Sequence, residues 1–131
     1  MIVFTSPFLC VGADPQSMLD NPTKPMIQSI PPVWDETIVL PQSKIGELVL
    51  YARRKGTTWF IGVMNGLNET KTVTLDLSFL KGKYTLYAVK DDKNKQNNAL
   101  LQEEKISGKA AITISLNANG GYAARLEKEK K

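Results

Sequence analysis

The sequence has no histidine and one cysteine, Cys10. Zinc and iron–sulfur centres built from those ligands are therefore excluded as a class, and an intrachain disulfide is impossible. The Ser–His and Cys–His nucleophile pairs are excluded with them, as is the commonest general base. No run of eighteen apolar residues occurs, so no transmembrane helix is indicated. The opening MIVFTSPFLCVGA is apolar but lacks a basic leading region, which argues against an intact signal peptide. Proline is absent from the whole second part: all 7 lie between Pro7 and Pro41. No helical apolar period of three turns follows residue 35.

What is present suits a folded domain. The 131 residues suffice for one core, and 42% hydrophobic with 23% charged residues separates the chain from disordered sequences. The net charge of +4 is uneven. Residues 1–50 carry Lys24 and Lys44 against five acids, whereas the basic excess gathers in 51–131, chiefly in Lys90–Lys95 and the terminal EKEKK. Basic and aromatic residues are not interleaved on any stretch, so the excess reads as a solvated face. Neither nucleic acid nor a membrane is expected as a partner.

The proline boundary divides two patterns. Ile2 to Thr5 reads as a short apolar strand. Asp14-Pro15 then offers an N-cap with proline at the first helical position, for a short helix through Leu19, and a second helix is expected near Pro25 with Met26, Ile27 and Ile30. A strand feeding a helix is one β/α unit, which cannot bury both strand faces alone. From Thr37 onward the chain alternates. Strands are expected at Thr37–Leu40, 47–55, 59–65, 71–77, 84–91, 101–106, 111–116 and 122–127, with turns at Lys55-Gly56-Thr57, Asn65-Gly66, Gly82 and Asn119-Gly120-Gly121. Short strands with turn signals every eight to twelve residues predict a mainly β fold, an antiparallel sandwich of Greek-key type. Its core should hold Leu48, Leu50, Phe60 or Ile61, Val73, Leu75, Leu86, Ile112, Ile114 and Ala124.

The stretch PPVWDET sets two carboxylates beside a tryptophan, as sugar-cleaving sites often do. Asp35 and Glu36 are neighbours entering a strand, however, and successive strand side chains point to opposite faces. They cannot flank one scissile bond as a pair of facing acids must. No catalytic pair and no metal site is assigned. Two substrate-binding candidates stand: Trp34, which could stack on a sugar or pack across a domain seam, and Asp14, which could line a pocket or serve only as a helix cap. Of the adjacent Arg53 and Arg54, the inward one should pair with a buried acid. Trp59 and Tyr51 read as core, and Asn68-Glu69-Thr70 as a turn.

Taken in order, the strand ending in Ser6-Pro7, the Asp14-Pro15 helix, PPVWDET, ARRKGTTWFIGVMNG, DLSFL followed by GKYT, and NANGGYAARL resemble the C-terminal part of glycoside hydrolase family 97. Members are bacterial α-glucosidases and α-galactosidases known from Bacteroides-type glycan use. The resemblance implies that residues 1–33 are the last unit of a catalytic (β/α)8 barrel and residues 34–131 a C-terminal β-sandwich domain. It implies that the family's catalytic carboxylates and calcium ligands lie on earlier parts of the parent, leaving no cofactor in this chain, and that the parent is periplasmic or extracellular.

The expectation is therefore a non-catalytic accessory domain. Its partner would be the rest of the glycosidase barrel or a second copy of itself. The alternative is a carbohydrate-binding module presenting Trp34, Trp59 or Tyr122 on a flat face. The apolar IVF and PFLCV stretches predict self-association, unless the N-terminal segment folds back over its own sandwich.

Overall fold

Between Trp59 and Val63 the chain is apolar at every position rather than at alternate ones, which is the mark of a strand covered on both faces. The computed structural model, which describes residues 1–4, 10, 12–92, 99–108 and 111–129, shows the two covers. Two short helices, α1 (Pro15–Leu19) and α2 (Lys24–Ser29), precede eight strands: β1 (Glu36–Val39), β2 (Leu48–Lys55), β3 (Thr58–Asn65), β4 (Lys71–Asp76), β5 (Lys83–Asp91), β6 (Ala99–Ser107), β7 (Ala111–Leu116) and β8 (Gly121–Lys128).

Six strands form one sheet in the order β1-β2-β3-β8-β5-β6, and β4 pairs with β7 in a second. Every pairing is antiparallel. The fold is thus the antiparallel sandwich expected, with an unequal division: the chain crosses to the small sheet at β4 and again at β7, returning each time to the large one. Alternation places Leu48, Leu50 and Ala52 of β2, Trp59, Ile61 and Val63 of β3, Leu86 of β5, and Ala124 and Leu126 of β8 on the inner face. Val73 and Leu75 answer from the small sheet, paired with Ile114 and Ile112, and Leu77 and Leu116 are buried in the same core. Ile112 is partly buried against the same core.

The β2–β3 hairpin turns at Gly56, whose φ of +58° costs a side-chain-bearing residue more than glycine. Asp35 fastens this turn from outside. Its Oδ2 accepts from Gly56 N at 2.7 Å and its Oδ1 from Lys55 Nζ at 2.9 Å.

Residues 1–34 depart from the expected β/α unit. Ile2–Phe4 form no strand, Thr5 and the PFLCV stretch fall largely outside the described residues, and the two helices appear where the prolines placed them. The described part folds back onto the outer face of the large sheet, where Ile2 and Met26 are buried. This is the second cover that the Trp59–Val63 run requires.

Candidate functional site

The outer face of the six-stranded sheet gathers the side chains that neither the inner core nor the turns explain. Opposed residues on neighbouring strands share a face. The register therefore draws one row across all six strands: Thr37, Arg53, Phe60, Arg125, Tyr87 and Glu103. Two guanidinium groups thus flank Phe60. The Arg53 carbon Cζ lies 5.7 Å from the Trp34 ring centre and 5.4 Å from that of Tyr51, and the Arg125 Cζ lies 4.8 Å from the Tyr87 ring centre. Trp34 meets Phe60 edge-on, 5.2 Å between centres at 70°. These are cation–π and T-shaped arrangements, which hold aromatic and cationic groups together without an acid.

Arg53 is 7% exposed. Its Nη2 donates to the Val3 carbonyl at a long 3.5 Å, and its Nε finds no acceptor among the described residues. Burial pulls the guanidinium below its ordinary value, with Tyr51 acting weakly the other way. The inward arginine by register is Arg54, opposite Trp59, and it does meet acids as expected; the correction is that those acids, Asp35 and Glu36, are exposed rather than buried. Half-buried Arg54 donates from Nε to Glu36 Oε2 at 2.9 Å, and its Nη1 lies 3.9 Å from Asp35 Oδ2. Arg125 Nε lies 3.2 Å from Glu127 Oε1 but is not directed at it, so the pair is ionic without a hydrogen bond.

Two apolar hollows flank the row. One, of about 300 Å³, is lined by Pro22, Pro25, Met26, Tyr87, Leu101 and Arg125. The other, of about 420 Å³, is lined by Met1, Phe4, Ile27, Ile30, Met64 and Ala123 among others. Leu101 is 59% exposed and Phe4 65%. The described part of segment 1–34 therefore leaves Phe4 and Leu101 exposed beside this face.

The opposite side of the large sheet has a groove of about 440 Å³ beside β7, lined by both apolar and polar side chains. Within it Lys90 Nζ donates to Gln102 Oε1 at 2.9 Å, and Gln102 Nε2 to Glu104 Oε2 at 3.1 Å. Asp91 Oδ2 accepts from Asn117 N and Gly121 N, tying the β7–β8 turn to the end of β5. No group of three metal-ligating side chains occurs among the described residues.

The two substrate-binding candidates share no partner. Asp14 is the cap of α1, its Oδ2 accepting from Ser17 N at 2.9 Å. Trp34 is half-buried in the row just described. Trp59 and Tyr122 are buried in the core, Trp59 against Phe79 with ring centres 4.7 Å apart, so neither offers a flat ring to a sugar. Burial pushes the Tyr122 hydroxyl upward, and the Glu104 charge adds to it. Tyr51 is half-buried on the outer face rather than in the inner core. Residue order alone did not mark the Arg53–Phe60–Arg125 row, because it depends on strand order; the unbroken apolar run at Trp59–Val63 was its one visible sign.

The family model described as "Glycosyl-hydrolase 97 C-terminal, oligomerisation" matches residues 33–127. Over 131 aligned residues the chain is 31% identical to a retaining alpha-galactosidase of Bacteroides thetaiotaomicron, covering 96% of this chain and 20% of that protein. A glycoside hydrolase family 97 enzyme from Pseudoalteromonas sp. strain K8, solved with acarbose, superposes with a TM-score of 0.80 at 25% identity, over 88% of this chain and 20% of its own. A beta-arabinopyranosidase superposes at 0.71 with 28% identity, over 86% and 18%. The chain thus spans about a fifth of the length of the relatives it matches.

Proposed function

Because the chain belongs to the glycosyl-hydrolase 97 C-terminal, oligomerisation family, we propose that it is the non-catalytic C-terminal domain of an α-glycosidase acting on α-glucosides or α-galactosides. It braces the catalytic barrel and joins copies of the enzyme to one another. The observation that carries this reading is the coincidence of the family match, 33–127, with the sandwich itself, Glu36–Lys128. The relatives' remaining four-fifths would supply the chemistry. In this reading residues 1–33 are the end of the barrel, calcium belongs to the parent's earlier part, and the parent works in the periplasm or outside the cell.

The chain's own acids support a non-catalytic role. Asp35 and Glu36 hold the β2–β3 hairpin through Lys55, Gly56 and Arg54, and Asp14 caps a helix. Glycoside hydrolysis needs two acids facing across one bond, and these three are engaged in separate structural tasks. Trp34 packs against Phe60 and Arg53, a role that needs no sugar. Incubation of the purified chain with aryl α-glucosides and α-galactosides tests this reading, and no turnover is expected. Turnover that survives repurification and disappears on Asp14→Asn or Asp35→Asn would overturn it.

A further inference from the structure

We infer that the cleft between β6 and the free edge of β7 binds part of an α-linked saccharide, through Lys90, Gln102 and Glu104. This rests on the reading of the chain as the C-terminal domain of an α-glycosidase, and it gives the sandwich a sugar site of its own.

Three polar side chains point where a sandwich ordinarily keeps apolar ones. Leu86 lies in the inner core, and alternation puts Leu86, Ala88 and Lys90 on the same face of β5. The register sets Glu104 opposite Leu86, Gln102 opposite Ala88 and Leu100 opposite Lys90, so all share that inner face. A polar group turned toward a core costs stability unless it finds partners. Here Lys90 donates to Gln102 at 2.9 Å and Gln102 to Glu104 at 3.1 Å, a line of bonds from β5 to β6. An ammonium carries three donors and a carboxylate about four acceptor positions. Among the described residues this line occupies one of each, so both of its ends can still take up hydroxyl groups.

The small sheet leaves the room. It has two strands against six, and among the described residues β7 pairs with β4 alone. Four consecutive residues of β7, 112–115, line the cleft, so it runs along that strand's edge, which presents unpaired backbone donors and acceptors. Leu86, Ile112 and Ile114 give it an apolar wall. Its volume of about 440 Å³ falls within the ~300–1,000 Å³ of small-molecule sites. A sugar divides in the same way, with hydroxyls around its rim and C–H bonds on its faces. Inward charges can also guard the edge strand of a sheet against pairing with another chain. A guard needs neither a cleft nor a partner on the next strand in, which is where Lys90 stands.

The test titrates the 131-residue chain with maltotriose and with melibiose, following amide chemical shifts. Saturable shifts should gather at residues 86–90, 100–104 and 112–115, with a dissociation constant of about 1 mM or tighter. Gln102→Leu, which breaks the line of hydrogen bonds at similar size, and Lys90→Met should each weaken binding by roughly tenfold or more. Trp34→Ala, on the outer face, should leave it unchanged. No saturable shift at roughly tenfold higher saccharide would overturn the inference, as would equal affinity in Gln102→Leu. Shifts of the same size with glycerol would show a cleft open to any polyol, and would overturn it too. If no sugar binds and Gln102→Leu raises the sedimenting mass, the inward polar groups serve only to guard the β6 edge. If binding vanishes in Trp34→Ala alone, the sugar sits on the outer face and the stated site is wrong. Each of these outcomes leaves the C-terminal-domain reading standing, because turnover by the purified chain decides that, not sugar binding.

Discussion

The Ile2 side chain occupies the space above Gly62 that any other residue there would need. A Cβ built on Gly62 would lie 2.8 Å from Ile2 Cγ2 and 3.0 Å from Ile2 Cβ. Glycine in the middle of a central strand ordinarily weakens it, and it persists where something approaches the backbone closely. Here that something is the N-terminal segment, seated on the outer face of β3.

The relationship makes a prediction. Gly62→Ala should loosen residues 1–34 from the sheet without unfolding the sandwich, since Gly62 faces away from the inner core. Limited proteolysis should cut the segment faster in the variant, while the far-ultraviolet spectrum of the strands stays unchanged. Equal cleavage rates would show that Ile2 shifts aside at no cost.

Leu75 tests the inner core. It is fully buried in β4, between Val73 and Leu77, and faces Ile112 across the small sheet. Leu75→Ala should cost about 2–5 kcal/mol in urea unfolding, the range for a leucine truncated in a packed interior. The outward-facing neighbour Thr74, exposed and paired with Thr113, should tolerate alanine within about 0.5 kcal/mol. A Leu75→Ala loss as small as that would mean that the small sheet does not close the sandwich.

Asp35 supplies a pH signature. Its carboxyl is held below the ordinary 3.8, first by the Gly56 N–H and then by the Lys55 ammonium. A depressed folded-state value means that this clamp stabilises the chain above the ordinary carboxylate value and is lost as pH falls through the lower, folded one. Asp35→Asn should therefore melt below wild type near neutral pH, and the gap should close as the wild-type carboxyl becomes protonated below 3.8. A gap that stays constant down to strong acid would assign the clamp to shape rather than charge.

Much of this architecture was legible residue by residue. Alternation in KTVTLDL and AITISL gave both strands and their buried faces, because a half-covered strand writes its burial with period two. Asp14-Pro15 gave the start of α1 because capping and fixed φ act locally. Local patterns could not say that β4 and β7 leave the large sheet, since the partner of a strand is set by tertiary packing. They misread Ile2–Phe4 as strand for the same reason: apolarity recorded that Ile2 is buried, but Ile2 is covered by packing onto Gly62 rather than by strand pairing. The solitary state of Arg53 was likewise invisible, because two adjacent arginines read alike until the register sends one to Glu36 and the other between two rings.

The central claim is that this is an oligomerisation domain, and sedimentation equilibrium of the 131-residue chain tests it most directly. Over a hundredfold range of concentration the account predicts an average mass rising to at least twice that of one chain. A shortened chain beginning at Trp34 shows how much of the association runs through the N-terminal segment. A mass of one chain at every concentration would contradict the account.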